Sequence, residues 1–126
     1  MQARIAAHRD GRAAGWQTIE APRDLPAALD AAGDAPALVD CLTLWLTNLM
    51  LAGQDIDAAR DSLLAALTRR AAPTVLVSNE VGLGIVPDNA LARAFRDEAG
   101  RLHQAIAARA GRVVFMVAGL AMGVKG

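Results

Sequence analysis

Three clusters of side chains have types and spacings that could do chemistry. The first is His8-Arg9-Asp10-Gly11-Arg12. A neutral imidazole is a good nucleophile toward phosphorus, and its ordinary pKa lies near physiological pH. Arg9 and Arg12 could brace phosphate oxygens through planar, bidentate contacts. Gly11 would let the backbone approach closely. On spacing alone, the same five residues read as a solvated loop of mixed charge. The second cluster is Asp40, at the end of an apolar run. A carboxylate there can hold Mg²⁺ directly or through water. It can equally cap the next helix, and both roles can hold together. The third is Ser78-Asn79-Glu80, followed by Gly82, Gly84 and Pro87. This loop lacks the GxxxxGK[ST] spacing and its Lys, so it is not a phosphate loop. It can also be a long turn in which Asn79 and Glu80 satisfy backbone groups.

Other candidates carry less. His103 has no second His, Cys or carboxylate at metal-ligand spacing, and reads as a partly exposed helix residue. Trp16 and Trp45 read as core or interface anchors. Cys41 has no basic neighbour in sequence to lower its pKa and reads as buried and inert. As the single cysteine it forms no intrachain disulfide and no CxxC site, which fits a reducing cytoplasm.

The elements that must position these residues follow from the apolar pattern. Short runs at 35–40 (APALVD), 74–78 (TVLVS) and 112–118 (RVVFMVA) predict strands. None alternates polar with apolar, the mark of strands covered on both faces of a parallel sheet. Residues 17–20 suggest a further short strand. Asp24 caps a helix to about Ala32, with Pro26 tolerated in its first turn. Residues 42–52 suit a helix that is apolar nearly all round. A third helix starts near Asp55, lines up Ile56, Ala59, Leu63 and Leu67, and ends in Arg69 and Arg70, complementing its dipole. A fourth is capped by Asp88, lines up Leu91, Phe95, Leu102 and Ile106 on one face, and stops at Gly111. Strand alternating with helix predicts a parallel α/β sheet with right-handed crossovers. Such sheets bind ligands at the C-terminal ends of their strands. Asp40 and the Ser78-Asn79-Glu80 loop both fall there.

Composition sets limits on function. The 126 residues suit one α/β domain over 1–126, with no internal repeat or linker. Apolar residues make up 54%, well above a disordered composition. Thirteen basic and thirteen acidic residues give zero formal charge, which argues against nucleic-acid binding. The longest apolar stretch is far shorter than the roughly 20 residues a membrane span needs.

Taken together, the segments resemble a known family. RIAAHRDGR with the following Trp16 and Thr18-Ile19-Glu20, LVDCLTLWLTNL, SNEVGLGIVPDNALARAFRDEAGRLHQ and VVFMVAGLAMGVKG all match it in order. The family is the bifunctional adenosylcobinamide kinase / adenosylcobinamide-phosphate guanylyltransferase of cobalamin biosynthesis. The resemblance implies a RecA-like P-loop NTPase fold, a mostly parallel sheet flanked by helices. It implies phosphorylation of adenosylcobinamide by a nucleoside triphosphate, ATP or GTP, with Mg²⁺. GMP then moves from GTP onto adenosylcobinamide phosphate through a GMP–histidine intermediate. His8 matches the guanylylated histidine. Arg9, Asp10, Gly11 and Arg12 match adjoining nucleotide-binding residues, and Glu20 and Asp40 match acidic positions used around GTP. A cytoplasmic homotrimer is also implied. The family's first strand and GxxxxGK[ST]-like loop have no counterpart here, so Met1 is expected to correspond to an internal methionine of the longer family chain. Two other readings stay open. One is a truncated, inactive remnant that keeps only fold and assembly contacts through the helix at 42–52. The other is a generic nucleotide-binding module.

Overall fold

The computed structural model describes residues 15–126. Along them run α1 (Leu25–Ala31), β1 (Ala37–Asp40), α2 (Leu42–Leu51), α3 (Ile56–Arg69), β2 (Thr74–Val77), α4 (Ala90–Arg109), β3 (Val113–Val117) and β4 (Leu120–Lys125). This is a mixed α/β arrangement.

The helices begin where polar side chains can satisfy free N–H groups. Asp24 accepts from the Ala27 N–H at 3.1 Å to start α1, and Asp55 accepts from the Ala58 N–H at 3.1 Å to start α3. For α4 the cap is Asn89 and not the expected Asp88. Asn89 Oδ1 reaches the Ala92 N–H at 2.7 Å, whereas Asp88 sits one residue too early to do so. The helix ends as Ala110 turns extended, one residue before the expected Gly111. Its last turn is tied off by Lys125, whose Nζ donates to the carbonyls of Ala107 at 2.8 Å and Ala108 at 3.2 Å. A cation there also complements the helix dipole.

The strands differ from expectation in three ways. First, they form two separate two-stranded sheets, not one mostly parallel sheet. β1 and β2 pair in parallel, with Ala37 opposite Thr74 and Asp40 opposite Val77. β3 pairs antiparallel with β4, an unanticipated strand. The turn explains it: Ala118 and Gly119 both take positive φ, at 52° and 75°. Two consecutive positive-φ residues make the mirror-image turn that suits a tight hairpin. Ala118 hides that signal in the sequence. Second, β1 and β2 are covered on one face only. Ala37, Val39 and Leu76 pack on the core, while Leu38, Val75 and Val77 are exposed. The described helices cover that face alone, so the apolar runs alternate in burial although not in composition. Third, residues 17–20 form no strand.

The core is mainly helical. Leu25 and Leu29 of α1, Leu42, Trp45 and Leu49 of α2, Leu63 and Ala66 of α3, and Leu102 of α4 form one cluster. Arg70, just past α3, joins it to the sheet. Its guanidinium donates to the carbonyls of Leu29 at 2.9 Å, Gly33 at 3.1 Å and Ala35 at 2.5 Å, and to Thr74 Oγ1 at 2.9 Å. One planar fork thereby ties the end of α1, the entry to β1 and the start of β2. Among the described residues no helix is long and apolar enough to cross a membrane.

Candidate active site at the strand ends

Because β1 and β2 run parallel, their C-terminal ends deliver side chains to one edge. Asp40 closes β1, and Ser78 immediately follows its partner strand. The helix-capping alternative for Asp40 loses ground here. The N-cap of α2 is Cys41, which makes no side-chain capping bond, so Asp40 sits one position outside the cap.

The loop after β2 is held at several points. Ser78 Oγ lies 2.6 Å from His103 Nε2 on α4. Asn79 Nδ2 donates to Thr43 Oγ1 at 3.0 Å, in the first turn of α2. Thr43 is buried and also lies 3.4 Å from Cys41 Sγ. Glu80 turns back on its own loop and accepts from the Gly82 N–H. A Cβ on Gly82 would meet that carboxylate oxygen at 2.8 Å, so a larger residue would push it away. Arg96 donates to the Gly82 carbonyl at 2.6 Å, and Arg93 to that of Pro87 at 3.0 Å. The first turns of α4 therefore brace the loop from below. Beyond the braced part, Leu83, Ile85 and Val86 are strongly exposed.

Burial lowers the His103 pKa below its ordinary value, and Glu80 nearby opposes that shift. The imidazole is held neutral where it meets the Ser78 hydroxyl. Sequence reading missed this pair. The partners stand 25 residues apart, on the loop after β2 and on α4, and only the tertiary fold brings them together. Cys41 is half-buried, near the expectation. Trp45 is a core anchor, with its Nε1 donating to the Arg23 carbonyl at 2.7 Å. Trp16, by contrast, is exposed and no part of the core.

The remaining sequence candidates sit elsewhere. His8, Arg9, Asp10, Gly11 and Arg12 lie outside the described residues. Glu20 is in the exposed segment ahead of α1, lining an open depression with Ile19, Pro22 and Arg23. That segment is fastened to α2 by Trp45 and by Asn48, whose Nδ2 donates to the Pro22 carbonyl at 3.0 Å. Among the described residues no group of three His, Cys, Asp or Glu could cage a metal. A single strand-end carboxylate still fits Mg²⁺, which takes hard oxygen donors and is commonly held by one or two carboxylates together with substrate phosphates.

Parallel strands that present a carboxylate and a braced polar loop at one edge have the layout at which α/β proteins take their ligands. Comparison with known proteins gives that class its place. Residues 1–124 match the family described as cobinamide kinase / cobinamide phosphate guanyltransferase. The chain is 52% identical to the bifunctional adenosylcobalamin biosynthesis protein CobP of Pseudomonas aeruginosa, over all of its own length and 75% of the relative's. It is 43% identical to the bifunctional adenosylcobalamin biosynthesis protein CobU of Salmonella typhimurium and 39% identical to that of Escherichia coli, in each case over 99% of its length and 78% of the relative's. The chain belongs to the cobinamide kinase / cobinamide phosphate guanyltransferase family, and is an enzyme of the kinase and nucleotidyltransferase kind.

Proposed function

We propose that the chain acts in cobalamin biosynthesis on adenosylcobinamide and its phosphate, with a RecA-like P-loop NTPase fold as its framework. The observation that carries this is the 52% identity to a bifunctional adenosylcobalamin biosynthesis protein across the whole chain. The strand-end site supports it, since phosphoryl and nucleotidyl transfer need charge and hydrogen-bond donors converging on one edge of an α/β sheet. In the kinase step the substrate hydroxyl attacks the γ-phosphorus of ATP or GTP and a nucleoside diphosphate leaves. In the second step the His8 imidazole attacks the α-phosphorus of GTP. A P–N bond forms, pyrophosphate leaves, and the GMP passes to adenosylcobinamide phosphate. Arg9, Asp10, Gly11 and Arg12, adjoining His8 in sequence, bind the nucleotide, with Glu20 and Asp40 as acidic positions around GTP. Asp40 is the residue to hold Mg²⁺, which when bound offsets phosphate charge. The cytoplasm is the expected compartment. Exposed Leu44 and Leu51 on α2 are consistent with a homo-oligomer, a trimer by family resemblance.

The test is retention of α-phosphate label from GTP on the denatured chain. An acid-labile adduct lost in His8→Ala is the expected result, and equal labelling of that variant would refute the assignment. A second reading, a remnant without activity, is favoured by one observation: the described strands form two separate sheets. Calorimetric titration with Mg-GTP separates the readings: micromolar binding with a histidine-linked product supports the enzyme, and no binding supports the remnant.

A further inference from the structure

We propose that Ser78 and His103 form a proton-accepting pair for the alcohol that the kinase step phosphorylates. Ser78 Oγ meets the substrate hydroxyl, and His103 is the positioning residue behind it. The inference rests on the kinase reading above.

Three observations carry it. Ser78 stands at the C-terminal end of β2, one strand from Asp40 and on the edge where an α/β sheet takes its ligand. Its Oγ lies 2.6 Å from His103 Nε2, a short contact between half-buried groups. The loop is also kept in place independently, since Asn79, next to Ser78, is fastened to Thr43, and Gly82 further along to Arg96.

Charges around the imidazole are few. α2, packed against α4, contains no ionisable residue. From α3, Arg60 is engaged with Asp57 at 2.8 Å and lies 3.8 Å from Glu98. On α4 itself, Glu98 pairs with Arg101 at 2.7 Å, while Arg93 and Arg96 reach loop carbonyls. Lys125 is held at the last turn of α4. Glu80 in the loop is the charge that acts on His103, and it favours the imidazolium. The ring is thus neutral at rest by burial, with a carboxylate at hand to stabilise the cation once a proton arrives. That combination suits a base.

The step balances as follows. The substrate oxygen attacks the γ-phosphorus, an O–P bond forms, and the bond to the β-phosphate oxygen breaks to release a nucleoside diphosphate. The hydroxyl proton passes to Ser78 Oγ as the Ser78 proton passes to His103 Nε2. The imidazolium then returns its proton to water. In this arrangement Nε2 is the acceptor, so the resting neutral ring carries its proton on Nδ1.

The experiment has two arms on the 126-residue chain. Nitrogen-15 spectra read the His103 tautomer and its titration. The Nδ1–H form is expected, with a pKa that rises in Ser78→Ala because the hydroxyl no longer stabilises the neutral ring. The second arm follows phosphoryl transfer from ATP or GTP to adenosylcobinamide against pH. His103→Gln keeps a hydrogen-bonding group near Ser78 but takes up no proton. It and Ser78→Ala should each lower kcat about 10²-fold with KM nearly unchanged and abolish the acid limb of the profile. A purely structural strap would instead be rescued by Gln. Wild-type kcat and pH profile in His103→Gln, or a resting Nε2–H tautomer, overturns the proposal. If the wild-type chain transfers no phosphoryl group, the kinase reading of this chain fails. The role of the pair in that step falls with it, and the spectra then decide only the direction of the Ser78–His103 hydrogen bond.

Discussion

If the Asn79–Thr43 bond anchors the strand-end loop to α2, breaking it from either side should cost related amounts of stability. Thr43→Val is close to isosteric and removes only the hydroxyl. Asn79 is exposed, so its freed amide finds water, and the loss should be about 0.5–1 kcal/mol. Asn79→Ala is worse, because it leaves the buried Thr43 hydroxyl with only the weak contact to Cys41 Sγ at 3.4 Å. A buried, poorly satisfied hydroxyl costs about 1–2 kcal/mol. The double variant carries no such orphan and should cost no more than Asn79→Ala alone. The coupling energy is then about 1 kcal/mol. Urea unfolding followed by the fluorescence of buried Trp45 measures it. Additivity within about 0.3 kcal/mol would mean that α2 does not anchor the strand-end loop through this bond.

Three further outcomes are expected. Arg70→Met keeps the stem but removes the guanidinium and its four hydrogen bonds; the two part-buried ones, to Leu29 and Thr74, set a loss of about 2–3 kcal/mol in urea unfolding. The lowered His103 pKa means the unfolded chain binds more protons than the folded one as pH falls through the ordinary histidine range. Stability should therefore rise with pH across that window and level off above it, and His103→Gln should flatten this part of a Tm-against-pH series. Asp40→Asn removes the charge at the end of β1, so Mg²⁺-dependent nucleotide binding, followed by calorimetry, should fall at least tenfold, and unchanged binding would refute the role.

The helical half of the fold was legible because its signals are local. Asp24 and Asp55 stand one residue before their helices, Ile56, Ala59, Leu63 and Leu67 recur at helical spacing along α3, and Leu102 and Ile106 do so along α4. The parallel pairing of β1 with β2 followed from the alternation of strand and helix, but the split into two sheets was not legible, since hydrogen bonding between distant runs leaves no mark on either run. β4 was missed for a nearer reason: Ala118 takes a left-handed turn that Asn or Gly would have announced. At the site, the place of Asp40 followed from the run before it. The Ser78–His103 contact did not, because it depends on how α4 lies against the loop after β2. The cap of α4 was misplaced by one residue, since Asp88 and Asn89 are equally good caps and only the position of Ala92 chooses between them.

Lys125 has a practical consequence. It is the one lysine, and its ammonium closes the final turn of the longest helix from the end of the hairpin. An amine-directed reagent would find there a single side-chain address, and acylation would turn a charged triple donor into a neutral amide. The modification would therefore report on the seam between hairpin and helix: slow labelling while the two are docked, faster labelling as they part. A dye placed there would read the movement of that corner without any engineered cysteine.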